Sequence, residues 1–192
     1  MKKPIHYDFY RLVGCKPTLP SLIRALWVPG FRYLFVFRAI QSSRFYFVTI
    51  LLRFILRHYQ FKFGIQIPPQ TRIGRGLLFG HFGTIIINPK AIIGENCNIS
   101  AGAVIGASSR GYRKGAPKIG NNVWIGVNAI VVGKISVGNN VLIAPGSYVN
   151  IDIPSNSLVI GNPCIVKSKL DATVGYINKV YKFEDDEEES SK

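Results

Sequence analysis

A chain of 192 residues with 47% hydrophobic residues is long enough for one domain with a substantial core, which excludes a largely disordered protein. The formal net charge of +14 indicates a surface that attracts polyanions such as nucleic acids, anionic lipids or phosphorylated small molecules. No nucleic-acid-binding motif accompanies this charge, so we expect no nucleic-acid partner.

The N-terminal segment, residues 1–64, is basic and rich in aromatic residues, with eleven lysines or arginines against one acidic residue, Asp8. Its longest apolar stretch ends at Arg53, well short of the ~20 residues that span a bilayer. Arginines interleaved with aromatics instead predict two helices between residues 19 and 64. These helices either lie peripherally on an anionic membrane, at the inner face of the plasma membrane, or cap the domain that follows, and the two roles are compatible.

The polar residues that follow Met-Lys-Lys at the start of the chain interrupt the apolar core that a signal peptide needs. The three cysteines, Cys15, Cys97 and Cys164, are widely spaced and form no C-x-x-C pair. This pattern is typical of neither a disulfide framework nor a metal site, and it indicates reduced thiols. We therefore expect a cytoplasmic protein.

Residues 65–169 carry an internal repeat in which a bulky apolar residue recurs at every sixth position, often followed by glycine. A six-residue unit is too short for a helical hairpin but fits one short strand and a corner, so three units form one triangular coil. We predict a mainly β fold, a parallel β-helix, with the repeated residues in its core. They are Ile67, Ile73, Phe79, Ile85, Ile87, Ile93, Ile99, Ile105, Ile119, Ile125, Val131, Val137, Ile143 and Val149.

Two further segments flank or interrupt the repeat. Residues 107–117 break the six-residue phase with polar and basic side chains, as an external loop does. Residues 170–192 form a C-terminal extension whose acidic tail has six consecutive acids, Glu184 to Glu189.

The Ile-Gly-x-x-x-x units resemble those of the left-handed β-helix acyltransferases. The segment Ile73-Gly-Arg-Gly-Leu-Leu-Phe-Gly-His81 is similar to the catalytic segment of serine acetyltransferases, and Gly161-Asn-Pro163 is similar to the Gly-x-Pro-Ala ending of these domains. The resemblance implies a left-handed β-helix, a homotrimer, and an acyltransferase that uses acetyl-CoA as co-substrate without a permanently bound cofactor. Metal-dependent enzymes of this fold need three converging histidines, so we expect no metal.

His81 is the only histidine inside the repeat, and Gly80 and Gly83 leave the backbone beside it uncrowded. Attack of a hydroxyl on a thioester needs a base, and a neutral imidazole suits this role near pH 7. We expect His81 to be that catalytic base, although a lone histidine is often structural. The far nitrogen of the ring needs a partner, for which Gln66, Glu95 and a backbone carbonyl are the candidates.

The resemblance also implies where the substrates bind. The pantetheine arm of coenzyme A is expected along the later coils, and its phosphates next to lysines beyond the closing motif. The interrupting loop is expected to close over the active site beside a neighbouring subunit and to meet an anionic or sugar acceptor, with a merely solvated loop as the alternative. The residues expected at coenzyme A are Gly126, Val127, Ala144, Pro145, Lys167 and Lys169, and those expected at the acceptor are Arg110, Tyr112, Arg113 and Lys114.

Three positions depart from the serine acetyltransferase pattern. Gln66 replaces the Asp that pairs with the catalytic His, Gly80 replaces an acidic residue beside it, and Ala116 replaces a second His that helps to hold serine. The whole chain resembles relatives associated with capsule, exopolysaccharide and O-antigen synthesis. We therefore predict acetylation of a sugar hydroxyl in surface polysaccharide synthesis, with L-serine as a poor acceptor. The alternatives are serine O-acetyltransferase in cysteine biosynthesis and a non-catalytic β-helix scaffold.

Overall fold

A computed structural model describes residues 3–181, so the acidic tail lies outside the described residues. The described chain begins with four helices: α1 (Pro4–Val13), α2 (Leu19–Leu26), α3 (Pro29–Ser42) and α4 (Tyr46–Phe63). Three of these helices lie between residues 19 and 64, where the sequence predicted two. The difference arises at Pro29, because proline starts a helix readily but cannot continue one.

A parallel β-solenoid follows the helices. Its first three coils contain β1 (Ile65–Gln66), β2 (Arg72–Ile73) and β3 (Leu78–Phe79), then β4 (Ile85–Ile87), β5 (Ile92–Ile93) and β6 (Asn98–Ile99), then β7 (Val104–Gly106), β8 (Lys118–Ile119) and β9 (Val123–Ile125). The last two coils contain β10 (Ile130–Val132), β11 (Ser136–Val137) and β12 (Val141–Ile143), then β13 (Tyr148–Val149) and β14 (Ser157–Ile160). The final strand is β15 (Ile165–Ser168).

Equivalent strands of successive coils stack into three sheets. Sheet A contains β1, β4, β7, β10 and β13, and sheet B contains β2, β5, β8 and β11. Sheet C contains β3, β6, β9, β12 and β14, and β15 adds to it antiparallel. The chain therefore passes from sheet A to B to C in each of the first four coils, and the fifth adds to sheet B only through the bridge between Val137 and Ile153. This order confirms the predicted β-helix.

The repeated apolar residues form the core, as predicted. Every one of them is at most 9% exposed, and most are completely buried. The small or β-branched residues four positions further on, such as Cys97 and Ala103, are buried beside them. Burial raises the pKa of the Cys97 thiol to about 12, so this cysteine stays protonated and serves as a small apolar residue.

The corners between sheets B and C are joined by a ladder of side-chain oxygens. The Asn121 amide oxygen accepts a hydrogen bond from the Glu95 backbone N–H at 2.7 Å, and the Asn139 amide oxygen accepts one from Asn121 at 2.7 Å. The Ser155 hydroxyl accepts the next one, from Asn139, at 2.9 Å. These bonds satisfy corner N–H groups that the short strands leave unpaired.

A buried ion pair attaches α1 and α3 to the first coil. Arg38 Nε donates to Asp8 Oδ2 at 2.8 Å, and its other nitrogens donate to the carbonyls of Ile73 and Gly74 at 2.8 and 2.6 Å. Asp8 Oδ1 accepts a hydrogen bond from the Leu77 backbone N–H at 2.8 Å. The helices therefore cover the open end of the solenoid and satisfy its terminal backbone groups.

The C-terminal segment covers part of sheet C. The rings of Tyr176 and Trp124 lie 4.9 Å apart, and Asn98 Nδ2 donates to the Tyr176 carbonyl at 3.0 Å. The outer face of sheet A, in contrast, exposes Ile86 and Ile130, which are 36% and 37% exposed. Within residues 3–181, no helix has the length and apolar character required to cross a bilayer.

We predict that Asp8→Ala destabilises the protein by about 3–5 kcal/mol, because it leaves the Arg38 guanidinium buried without its counter-ion. Urea denaturation measures this loss. The matched control is Asp171→Ala, which removes an exposed acid and changes the free energy of unfolding by no more than about 0.5 kcal/mol. Equal stability of the two variants would show that the ion pair does not hold the helices to the solenoid.

Candidate active site

His81 lies in the corner that connects β3 to β4, on the edge between sheets C and A. The side chain is exposed, and within residues 3–181 no hydrogen bond fixes its ring. A Cβ atom at Gly80 would have no neighbouring atom within 4 Å, so the space beside the histidine is open. The imidazole is therefore accessible to a substrate from the solvent.

Two phenylalanines join this corner to α4, a contact that the sequence did not predict. Phe82 is 57% exposed, and its ring centroid lies 6.4 Å from that of Phe63 at the end of the helix. The Gly83 backbone N–H donates to the Phe63 carbonyl at 3.1 Å. The only signal in the sequence was an aromatic residue immediately after His81, which is not specific enough to predict the contact.

The corners of the following coils stack on this edge and form a column that begins at the His81 corner. The Asn128 backbone N–H donates to the Ala101 carbonyl at 3.0 Å, and the Gly146 N–H donates to the Val127 carbonyl at 2.8 Å. Val127 lies two coils beyond His81 and Pro145 three coils beyond it. With a strand spacing of 4.7–4.9 Å, these steps correspond to about 10 and about 14 Å along the edge.

The four corner residues expected at the pantetheine arm thus lie on the same edge as His81. Val127 and Pro145 are exposed there, whereas Gly126 and Ala144 sit more deeply in the same two corners. A Cβ atom at Gly126 would lie 2.6 Å from the Pro145 nitrogen, so only glycine allows the two coils to approach this closely. The result is a column of closely stacked corners on this edge.

The two lysines expected at the phosphates are exposed at the far end of sheet C. Lys167 lies on β15 opposite Leu158, and Lys169 donates its backbone N–H to the Asn156 carbonyl at 2.7 Å. Because β15 runs antiparallel to β14, it carries the chain from the His81 edge toward the edge between sheets B and C. Lys169 is therefore not brought to the edge that contains His81.

Neither side chain proposed to orient His81 is hydrogen-bonded to it in the described part of the chain. Gln66 points outward from sheet A and lines a groove of about 450 Å³ with Phe61 and Ile86. Glu95 forms an ion pair with Arg75 on the edge between sheets B and C, and its Oε1 lies 3.1 Å from the Arg75 Nε. A backbone carbonyl or a group on the substrate remains as the partner of the imidazole.

The interrupting loop is a small hairpin on the edge between sheets A and B. Ser108 and Gly115 exchange two backbone hydrogen bonds of 2.9 Å, which close its base. Tyr112 is 90% exposed, whereas Arg113 is held by Asp152 at 3.7 Å and donates to the Tyr112 hydroxyl at 3.2 Å. Within one chain, the loop and His81 therefore lie on opposite edges of sheet A.

Two exposed cations of the loop, Arg110 and Lys114, have charged groups that reach the solvent. Ala116, at the end of the loop, packs against the solenoid core. The structure thus separates the predicted acceptor residues from the predicted base by the width of one sheet.

Comparison with known proteins identifies the family. Residues 116–150 match the family described as bacterial transferase hexapeptide (six repeats). The serine acetyltransferase of Helicobacter pylori strain 26695 is 34% identical over 162 residues, which cover 82% of this chain and 93% of that protein. The serine acetyltransferase of Synechococcus elongatus is 33% identical over 164 residues, covering 85% of this chain and 67% of that protein.

A solved structure agrees with these relatives. The Neisseria gonorrhoeae serine acetyltransferase, determined in complex with serine, superposes with a TM-score of 0.68 and 30% sequence identity. The alignment covers 86% of this chain and 68% of that one.

These relatives correct the predicted acceptor. The prediction of a sugar hydroxyl in surface polysaccharide synthesis is wrong, because these relatives, which align with most of the chain, are serine acetyltransferases, and a capsule or exopolysaccharide subgroup is not supported. The prediction failed because a neutral residue at these positions removes one contact of the serine acetyltransferase pattern but does not create a contact to a sugar. At Gly80 the structure leaves empty space, and at Ala116 the side chain packs against the core.

Three observations indicate an enzyme of the same kind as these relatives: the repeat, the position of His81 on an open edge, and the similarity over most of the chain. The scaffold alternative is therefore set aside, and acetyl-CoA is the co-substrate rather than a bound cofactor. This chain belongs to the serine acetyltransferase family of hexapeptide-repeat transferases and is an acetyl-CoA-dependent acyltransferase.

Proposed function

We propose that this chain transfers the acetyl group of acetyl-CoA to the hydroxyl of L-serine, the reaction that serves cysteine biosynthesis, with His81 as the general base. The observation that carries the proposal is the similarity to serine acetyltransferases over 82–85% of the chain. The exposed position of His81 on an uncrowded corner supports its role, because a base must reach the proton that it removes.

The reaction proceeds by direct attack. The His81 imidazole takes the proton of the serine hydroxyl as the oxygen bonds to the thioester carbonyl carbon, and a tetrahedral intermediate forms. The intermediate collapses by breaking the carbon–sulfur bond, and the imidazolium returns the proton to the leaving thiolate. The products are O-acetylserine and coenzyme A, and the histidine regains its neutral form.

Coenzyme A binds along the edge between sheets C and A in this proposal. Val127 and Pro145 are exposed about 10 and about 14 Å from the His81 corner, so an extended pantetheine arm on this column brings the thioester to the histidine. Lys167, at the end of the stack, is the nearer of the two lysines to this edge and is the candidate for the phosphates.

A trimer completes the site. The apolar outer face of sheet A, with Ile86 and Ile130, has the His81 corner on one edge and the hairpin loop on the other. In a closed threefold ring the interface is heterologous, so one edge of a subunit meets the opposite edge of its neighbour. Arg110 and Lys114 of the neighbouring loop then supply cations for the serine carboxylate next to His81.

We predict that His81→Ala lowers turnover at least about 100-fold, the lower range for loss of a general base. The measurement is coenzyme A release from acetyl-CoA in the presence of L-serine. His58→Ala is the matched control, because His58 is exposed on α4 and lies outside the coils, and it keeps wild-type turnover. A fully active His81→Ala enzyme would exclude His81 as the base.

Subunit complementation tests the trimer site. His81→Ala and the double variant Arg110→Ala/Lys114→Ala each lose activity alone. When the two are denatured together and refolded at equal amounts, about a quarter of the sites combine an intact histidine with an intact neighbouring loop, and about a quarter of wild-type turnover returns. If the loop acts on the histidine of its own chain, mixing restores no activity.

Binding of serine tests the role of position 80. We predict that Gly80→Asp lowers KM for L-serine about 10- to 100-fold, because an anion in the open space beside His81 meets the serine ammonium. Gly80→Asn is the matched neutral control and leaves KM nearly unchanged. An equal effect of the two substitutions would show that the aspartate charge does not contact the acceptor.

A further inference from the structure

The outward face of α4 carries a stripe of exposed apolar side chains. Phe47, Leu51, Phe54 and Phe61, which we call the α4 stripe, are 84%, 61%, 69% and 75% exposed. The three phenylalanines are seven residues apart, which is close to two helical turns, so they lie on one face. Large exposed aromatics grouped on one surface mark an interaction site more often than a solvated helix face.

The opposite face of α4 is fixed to the protein. Leu52, Ile55, Leu56, Tyr59 and Phe63 pack against the solenoid core. The helix is therefore prevented from rotating to bury the α4 stripe, and no described residue covers Phe47, Leu51 or Phe54. Phe61, at the end of the stripe, lines the groove on sheet A with Ile86, so the proposal rests on the other three side chains.

Positive charge borders the α4 stripe. Arg53 and Arg57 are exposed on one side of it, and Lys62 on the other. The Arg57 guanidinium lies 5.1 Å from the Phe61 ring centroid, so the apolar and cationic groups form one surface. The single acidic residue of the helical segment, Asp8, is buried against Arg38, which leaves the surface around α4 cationic.

We propose that the α4 stripe docks on a membrane surface that contains anionic lipid. An interfacial helix buries its apolar side chains at the boundary between headgroups and acyl chains, while flanking arginines contact phosphates. The 18 residues of α4 give a helix of about 27 Å that lies parallel to the bilayer, because its inner face is held by the solenoid.

Charge argues against α4 of a second copy as the occupant. Two copies of α4 would place Arg53 and Arg57 against cations of the same kind. The rest of the described surface has few acidic groups that could pair with these arginines. Of its three acids, Glu95 and Asp152 already form ion pairs with arginines. An anionic lipid surface complements both the apolar and the cationic parts of the α4 stripe, and the proposal does not depend on the acceptor.

The test is flotation of the full chain with vesicles of phosphatidylglycerol and phosphatidylcholine, compared with vesicles of phosphatidylcholine alone. The wild-type protein floats with the anionic vesicles and is released when salt rises to about 1 M, where the screening length falls to about 3 Å. Arg53→Gln/Arg57→Gln weakens binding about 30-fold, at about fivefold for each basic residue. Phe47→Ser/Phe54→Ser weakens it at least about tenfold for each residue.

Matched controls change equally exposed residues on other surfaces. Leu170→Ser/Val174→Ser removes side chains that are 82% and 73% exposed, and Arg72→Gln/Lys118→Gln removes two charges from the outer face of sheet B. Both controls bind anionic vesicles like the wild type. Thermal midpoints show which variants remain folded. If the phenylalanine variant does not fold, the arginine variant still tests the proposal.

Three outcomes would overturn the proposal. The first is that the wild-type chain fails to float with anionic vesicles, and the second is that the α4 variants bind as well as the controls do. In the third, light scattering without vesicles shows that Phe47→Ser/Phe54→Ser reduces the oligomer size, which would identify the α4 stripe as a protein interface. The first two results leave turnover and the role of His81 unaffected, whereas the third would also alter the assembly proposed to complete the active site.

Discussion

The stacking of one buried residue from each six-residue unit is the constraint on which the rest of the molecule depends. Most strands contain only two or three residues, and no strand is stable without the coils above and below it. Because side chains alternate in direction along a strand, a slip of one position would turn a core isoleucine toward the solvent. The repeat therefore holds all three sheets in register and brings every corner into a vertical column.

This geometry separates stability from chemistry. The core residues face inward and determine the fold, whereas the corners face outward and are free to carry function. His81, Val127 and Pro145 are far apart in the sequence, yet they share one edge because each follows a strand of sheet C. Open space at Gly80 shows that the surroundings of His81 can change without any cost to the core.

The helical segment has a structural and an interacting face. Through Asp8 and Arg38, α1 and α3 close the first coil and satisfy carbonyls that would otherwise be exposed at the end of the solenoid. Packing of Leu56 and Phe63 against the solenoid core anchors α4 by its inner side and leaves the α4 stripe facing outward. The end of α4 also contacts the His81 corner through Phe63, so the surface that carries the positive charge adjoins the edge that carries the histidine.

The sequence by itself determined the β-helix and its core, because a six-residue period with buried residues such as Ile67 and Ile99 has one physical solution. A local motif predicted His81 as the base, which stays a prediction, and the family resemblance indicated acyl transfer. The acceptor predicted from the sequence was wrong. The neutral residues Gln66, Gly80 and Ala116 show that contacts of the serine acetyltransferase pattern are absent, but they do not show that contacts to a sugar replace them. Only the tertiary structure decided that Glu95 is occupied by Arg75, that Lys169 lies away from the His81 edge, and that the loop faces the opposite edge of sheet A. These relations depend on which coil and which corner a residue occupies, and a distance across a solenoid is not encoded in any local pattern.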